Sequence, residues 1–243
     1  MKAIILCAGN STRYGKNKLL AEFHGKTLPE YNIDFCVENN ITDINITISK
    51  NHTKIYGFDV VQHPIINNLS KYVNNNHENV TLSFKFQDVD KYGPAAGLIP
   101  WMDDLANDDV IVLFGDNFLK GKFDFKEYLS KGFDAVATYK DLPKNNSNER
   151  FGAIDEGETY IKLVEKPHLY REGKFFIGFS FYSAKGFQEL KKLTPSTKRN
   201  EYEITEFFNS IERRTIAPVV EHWIDLTYQH DDKLVNEVIS KSF

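Results

Sequence analysis

The sequence predicts an α/β protein with a mixed, mostly parallel central sheet and a small antiparallel portion. Three observations lead there. The runs ending at Leu6 and at Phe114 are continuously apolar, the pattern of strands buried on both faces rather than on one. Segments of helical character separate such runs along the chain. The middle, from Ala135 to Tyr182, is rich in short β-branched and aromatic runs and reads as the antiparallel addition.

In order, Lys2 to Leu6 predicts the first strand. A helix fits Thr27 to Asn39, with Thr27 as cap, Pro29 in the first turn, and Tyr31, Ile33, Phe35 and Val37 among its apolar positions. Strands follow at Ile44 to Ile48, Phe58 to Val61 and Val80 to Phe86, then a short helix near Ala95, and the buried strand Val110 to Phe114, which stops at "GDN". Further strands fit Ala135 to Tyr139, Ala153 to Asp155, Tyr160 to Val164 and Ile177 to Tyr182. Helices fit Ala184 to Lys192 and Glu203 to Arg213, and a last one begins near Asp231. The asparagine clusters Asn67-Asn68, Asn74 to Asn76 and Asn145-Asn146 read as turns and loops.

At 243 residues the chain is expected to form a single domain, 1–243. A formal charge of −4, with basic residues spread along the chain, argues against nucleic acid and membrane surfaces and for a small charged metabolite. Cys7 and Cys36 lie in apolar surroundings and read as packing residues, not as a disulfide. No run approaches the ~18 apolar residues of a membrane span. The apolar run after Met1-Lys2 is too short for a secretory signal and is followed at once by the basic stretch Arg13 to Lys18, so a cytoplasmic protein is expected. No internal repeat is visible.

The stretch "LCAGNSTRYGKNKLL" carries the first chemical signal. A strand leading into a loop of small residues is how α/β proteins present backbone N–H groups to phosphate, at the carboxyl ends of the strands. The P-loop pattern fails, because five residues separate Gly9 from Gly15 and Asn17 follows Lys16. The dinucleotide pattern G-x-G-x-x-G fails as well, since the stretch has only those two glycines. Arg13, Lys16 and Lys18 nevertheless supply ample charge for a phosphate ligand.

Asp116 follows a buried strand and a glycine, so its carboxylate is expected at the sheet edge, either near a metal or simply capping a turn. Asp225, in "HWIDL", is a second acid after an apolar stretch. Two such carboxylates converging on a phosphate loop make a site for Mg²⁺, which takes few protein oxygens and shares the rest with water and phosphate. "VEKP" sets Glu165 and Lys166 at a strand end, where a solvated ion pair is the plain alternative. In "ERFGAI", Gly152 suits a close backbone approach or a bulge. The small residues of "YGPAAGL" suit a flat ring lying against the backbone. The seven histidines show no metal spacing, and no Ser-His-Asp or Cys-His arrangement is assembled.

Taken together, "MKAIILCAGNSTR", "KLL", "YGPAAGL", "LFGDN", "RFGAI", "VEKP", "FFIGFSFYS", "EYEITEFF" and "WIDL" resemble, in the right order, the nucleotidylyltransferases that activate sugar 1-phosphates. The resemblance implies a Rossmann-like, three-layer nucleotidyltransferase fold. It implies a reaction in which a sugar 1-phosphate attacks the α-phosphorus of an NTP and pyrophosphate leaves. Such chemistry calls for positioning, cations and backbone donors, not a covalent nucleophile. By this resemblance Leu6, Ala8, Gly9 and the following loop hold the nucleotide, Arg13 neutralises the triphosphate, and Lys18 stabilises the α-phosphate and the leaving group. Asp116 and Asp225 would hold Mg²⁺. Gln87 and Gly97 fall where the base is read. Gly152, Glu165, Lys166 and Glu203 fall at the sugar phosphate, while Lys16 reads as a solvated neighbour.

Two departures accompany the resemblance. Only Tyr14 to Asn17 separate Arg13 from Lys18, a compact spacing more similar to cytidylyltransferases of isoprenoid synthesis and to molybdenum-cofactor nucleotidyltransferases. The glycine often found soon after the second metal aspartate is absent from "DLTYQHD". Three readings stay open: transfer from dTTP, UTP or CTP to a sugar 1-phosphate, cytidylyl transfer to a non-sugar phosphomonoester such as phosphocholine, and a catalytically silent nucleotide-sugar-binding relative. Homo-oligomeric assembly is also left open.

Overall fold

The structure is a computed structural model that describes residues 1–50, 52, 63–144, 149–166, 172–219 and 221–243. In chain order the strands are β1 (Lys2–Cys7), β2 (Glu22–Phe23), β3 (Lys26–Thr27), β4 (Asp43–Ser49), β5 (Thr81–Gln87), β6 (Val110–Phe114), β7 (Asn117–Lys120), β8 (Ala135–Leu142), β9 (Ala153–Glu156), β10 (Ile161–Val164), β11 (Gly173–Tyr182), β12 (Arg214–Pro218) and β13 (His222–Asp225). The helices are α1 (Leu28–Glu38), α2 (Pro64–Asn76), α3 (Phe125–Ser130), α4 (Ala184–Gln188), α5 (Ile204–Ser210) and α6 (Asp232–Ser240). The expected mixed sheet is present, and the expected strand at Phe58 to Val61 and turn at Asn145-Asn146 lie outside the described residues.

The chain gathers into two compact units. The first is assembled from Met1–Asp90, Val112–Phe123 and Val220–Phe243. Its sheet runs β6-β1-β4-β5, with β4 parallel to both β1 and β5. Parallel neighbours need a crossover, and α1 supplies the one from β1 to β4. Thr27 starts α1: its backbone N–H and its hydroxyl both donate to Glu30 Oε2, at 2.6 and 3.0 Å, and Pro29 occupies the first turn. Beside the sheet, β7 and β13 pair antiparallel with Asp225 opposite Asn117, and the buried Trp223 indole donates to Asn117 Oδ1 at 2.8 Å. A core of Tyr14, Phe23, Leu28, Tyr31, Phe118, Ile224, Leu226, Val235 and Ile239 joins these pieces. Each large apolar side chain buried there contributes ~1.5–3 kcal/mol.

The second unit comprises Lys91–Ile111 and Asp124–Val219. Its strands run β12-β8-β11-β9-β10, antiparallel except for the parallel pair β8 and β12. The register of β11 against β8 shifts between Phe176 and Ser180, where Gly178 takes φ +74°. Tyr182 of β11 packs against Phe207 of α5, the ring centroids 4.6 Å apart and the rings tilted by 31°.

Several expectations need correction. Asn67, Asn68 and Asn74 to Asn76 lie not in turns but in α2, which Pro64 opens and which buries Ile65, Leu69 and Val73 along one stripe. The helix expected near Ala95 is two 3-10 turns, Pro94–Gly97 and Ile99–Trp101. The helix expected to reach Arg213 stops at Ser210, because Arg214 already enters β12. Strand β7 and helix α3 are additions; Asp124 caps α3 by accepting from the Lys126 and Glu127 N–H groups. Cys7 and Cys36 are buried thiols, as expected, and burial pushes both pKa values up. No helix among the described residues is long and apolar enough to cross a membrane.

Candidate active site

In the first unit the exits of β1 and β6 lie side by side, because the Gly115 N–H donates to the Leu6 carbonyl at 3.0 Å. This approach requires glycine: a Cβ at Gly115 would sit 2.6 Å from Cys7 Sγ and 2.9 Å from the Leu6 oxygen. Leu6, near the end of β1, therefore lies beside the residue that precedes Asp116, and Ala8 and Gly9 open the loop that follows the strand.

The loop then folds on itself. Tyr14 and Gly15 donate backbone N–H groups to the Ser11 carbonyl, with Ser11 at φ +53° and Gly15 at φ +83°. Tyr14 is buried and its hydroxyl donates to Asp232 Oδ1 at 2.8 Å, which ties the loop to α6. Asn17 caps the 3-10 turn Lys18–Leu20 through the Leu19 N–H. Between these anchors Arg13 and Lys16 are exposed, Lys16 lying 5.7 Å over the Tyr14 ring.

Lys18 turns inward. Its ammonium lies 2.5 Å from Asp116 Oδ2 and donates to the Leu226 carbonyl at 2.6 Å, with only 12% of the side chain exposed. Burial disfavours the charge, but Asp116 and Asp225 outweigh it, so the Lys18 pKa is raised; Arg13 opposes the rise. Asp225 arrives on β13, and the Leu226 N–H donates to the Asp116 carbonyl at 3.0 Å. The structure thus brings Lys18, Asp116 and Asp225, which are far apart in sequence, to the rim where the loop begins. Gln87 ends β5 in the same unit, opposite Ser49 at the end of β4.

The donor set fits a divalent cation of the Mg²⁺ type. Asp116 Oδ1 accepts from the Asn117 amide at 3.1 Å while its Oδ2 faces the Lys18 ammonium, and Asp225 Oδ2 accepts from the Thr227 hydroxyl at 2.5 Å; an ionised carboxylate offers about four acceptor sites. No group of three or more His, Cys, Asp or Glu gathers for a metal among the described residues. A pair of carboxylates suits an ion that leaves most of its positions to water and phosphate.

The remaining sequence candidates lie in the second unit. Glu165 follows directly on β10 and accepts from Thr205 Oγ1 at 3.3 Å, while Lys166, at φ +38°, brings its ammonium to 3.3 Å from Glu165 Oε1. Gly152 packs against Thr205: a Cβ there would approach its methyl to 3.2 Å. Sequence reasoning missed Arg199, which organises this group. Its guanidinium reaches Glu165 at 3.3 Å, Glu201 at 2.9 Å and Glu203 at 3.1 Å. The available signal was a guanidinium four residues before Glu203 in "RNEYEIT". Burial, then the charge of Glu165, pushes the Glu203 carboxyl up to about 7. Gly97 lies in a turn fixed to the same segment, since the Ala95 N–H donates to the Tyr202 carbonyl at 2.9 Å.

A family model described as nucleotidyl transferase matches residues 2–226. Two curated relatives are each named bifunctional protein GlmU. One, from Hydrogenobaculum sp. (strain Y04AAS1), is 29% identical over 220 residues, covering 85% of this chain and 45% of its own. The other, from Methanococcus maripaludis strain C5, is 28% identical over 258 aligned residues, covering 99% and 56%. The chain thus spans about half the length of the curated relatives it matches. Among solved structures, a candidate glucose-1-phosphate thymidylyltransferase from Bacillus anthracis in complex with sucrose superposes with a TM-score of 0.78 at 24% identity, covering 98% of this chain and 94% of that one. A UDP-glucose pyrophosphorylase complexed with UDP-glucose gives 0.76 at 17%, covering 100% and 99%. These likenesses establish the shared fold.

Proposed function

Given that this chain belongs to the nucleotidyl transferase family, we propose that it joins a nucleoside triphosphate (dTTP, UTP or CTP) to a sugar 1-phosphate, releasing pyrophosphate and an NDP-sugar. A phosphate oxygen of the acceptor forms a bond to the α-phosphorus as the bond from that phosphorus to the bridging oxygen of the leaving pyrophosphate breaks. No proton need move in this exchange of one phosphoanhydride bond for another. The protein's task is to assemble two anions in line and to offset the charge that builds on the leaving group.

Leu6, Ala8 and Gly9 are assigned to the nucleotide, with backbone groups as donors. Arg13 offsets the triphosphate from the solvent side, and Lys18 is the cation nearest the reacting phosphate. Asp116 and Asp225 would hold Mg²⁺, which when bound supplies charge neutralisation across phosphate oxygens. Gln87 and Gly97 are assigned to the base, and Gly152, Glu165, Lys166 and Glu203 to the acceptor, with Lys166 on its phosphate and Glu165 on its hydroxyls. Arg199 joins this acceptor group as a second cation.

The observation that carries this reading is the burial of Lys18 against Asp116, with Asp225 adding its charge, where the β1 loop begins. The names of solved structures with the same fold, one for glucose 1-phosphate and one for UDP-glucose, point to the same acceptor class. The compact Arg13-to-Lys18 spacing favours the second reading, cytidylyl transfer to a non-sugar phosphomonoester. Pyrophosphate release, measured with Mg²⁺ for each NTP against sugar 1-phosphates and phosphocholine, separates the two. Release requiring one NTP and one sugar 1-phosphate supports the first. Nucleotide binding without release from any pair supports a catalytically silent relative.

A further inference from the structure

The loop that opens at Gly9 has an anchor that the reaction scheme leaves unused. His52 is fully buried, and its Nε2 lies 3.0 Å from the Gly9 carbonyl oxygen across 43 positions of sequence. A carbonyl only accepts, so the imidazole is the donor and carries its proton on Nε2. Burial lowers the His52 pKa and holds the ring neutral, with the Gly9 bond opposing the shift. Behind it stands His63, also fully buried, at 5.4 Å between ring centroids, and His63 in turn meets the Phe86 ring edge-on at 6.4 Å. Phe86 precedes Gln87 on β5. A packed row of three rings thus backs the Gly9 carbonyl, and a closely packed side chain has little freedom to retreat.

The described peptide bonds are trans. In a trans peptide the C=O of one residue and the N–H of the next point in opposite directions. Drawing the Gly9 carbonyl toward His52 therefore turns the Asn10 N–H to the opposite face of that peptide. Glycine is the residue whose peptide turns over most easily, so position 9 is where an outside anchor has most to fix.

We propose that His52 is a positioning residue for nucleotide binding, holding the Gly9–Asn10 peptide so that the Asn10 N–H faces the phosphates of the bound triphosphate. This rests on the reading that the loop takes a nucleoside triphosphate. His52 touches no substrate; it removes the conformational cost of orienting the donor at the moment of binding.

Wild-type protein gives the first test. Imidazole ¹⁵N NMR at neutral pH is expected to show the Nε2–H tautomer for His52, and the Nδ1–H tautomer overturns the proposal. The second test compares His52→Gln, whose amide nitrogen reaches the position of Nε2, with His52→Asn, whose amide falls short. Calorimetric titration with dTTP, UTP and CTP, corrected for folded fraction by thermal unfolding, is the readout. His52→Gln is expected to bind within about twofold of wild type and His52→Asn about tenfold more weakly, with the acceptor KM unchanged in both. Equal binding by the two variants overturns the proposal. A wild-type protein that binds none of the three triphosphates overturns the nucleotidyl-transfer reading instead, and the NMR result then stands as a fact about the loop alone.

Discussion

Lys18 reaches Asp116 at 2.5 Å while the same ammonium donates to the Leu226 carbonyl at 2.6 Å. One cation thereby joins the β1 loop, the turn after β6 and the exit of β13. Its raised pKa keeps it charged throughout the neutral range.

Replacing that cation exposes two carboxylates to each other. Lys18→Ala is expected to lower turnover ~10²–10³-fold, the scale of losing a charge stabiliser at a reacting phosphate. It should also lower stability by about 1–3 kcal/mol, since Asp116 loses a largely buried partner. Added Mg²⁺ should raise the Tm of the variant more than that of wild type. Pyrophosphate release and calorimetry check both, and unchanged turnover would remove Lys18 from the site.

Glu203 predicts a pH dependence. Its folded-state pKa is about 7 against an ordinary 4.5, so the folded protein favours the protonated acid. That contribution is fully present below about pH 4.5 and is lost as pH rises through about 7. Glu203→Gln, neutral at every pH, should therefore be more stable than wild type at pH 8 by about 1–3 kcal/mol and nearly equal to it at pH 5. Urea unfolding at the two pH values decides this, and a constant difference between them contradicts it.

Gly115→Ala is expected to destabilise the fold by about 1–3 kcal/mol and to shift Asp116, because the new methyl meets both Cys7 Sγ and the Leu6 oxygen. Cys7→Ala in the same chain should restore part of the loss, as it removes the sulfur but leaves the carbonyl. A double-mutant cycle on thermal unfolding measures the coupling. Strict additivity would show that the sulfur contact carries none of the strain.

The two exposed cations of the loop should separate cleanly. Arg13→Ala is expected to raise the NTP KM about tenfold, whereas Lys16→Ala should leave it within about twofold, because Lys16 lies over Tyr14 and its charge stays in solvent. Steady-state kinetics on the two variants suffice, and a larger effect from Lys16 would reverse their roles.

Much of the fold was legible where burial leaves a pattern. The continuously apolar β1 and β6, and α1 with Thr27 and Pro29 at its start, follow from runs and caps read within a dozen residues. Helix α2 was hidden by its asparagines, which favour turns locally. Its stripe of Ile65, Leu69 and Val73 at helical spacing is the stronger determinant once there is a core to bury it against. Strands β7 and β12 are short and take their geometry from their partners rather than from their own residues. The candidate site divides in the same way. Lys18 and Asp116 were visible as residue types after strands, but their salt bridge depends on the Gly115 approach, which no local pattern encodes. Arg199 was missed because its meaning lies in three carboxylates meeting one guanidinium in space.

The first unit is discontinuous in sequence, with Val220–Phe243 contributing its final segment after the whole of the second unit. A nascent chain emerging from the ribosome therefore makes the β1 loop early but must wait more than a hundred further residues for β13, and with it for Asp225 and the Leu226 carbonyl. The interposed second unit is complete in sequence before that point and is free to fold first. Lys18 and Asp116 can thus acquire their remaining partners only once Val220–Phe243 has been made, so products stalled or truncated before it lack the assembled charge cluster.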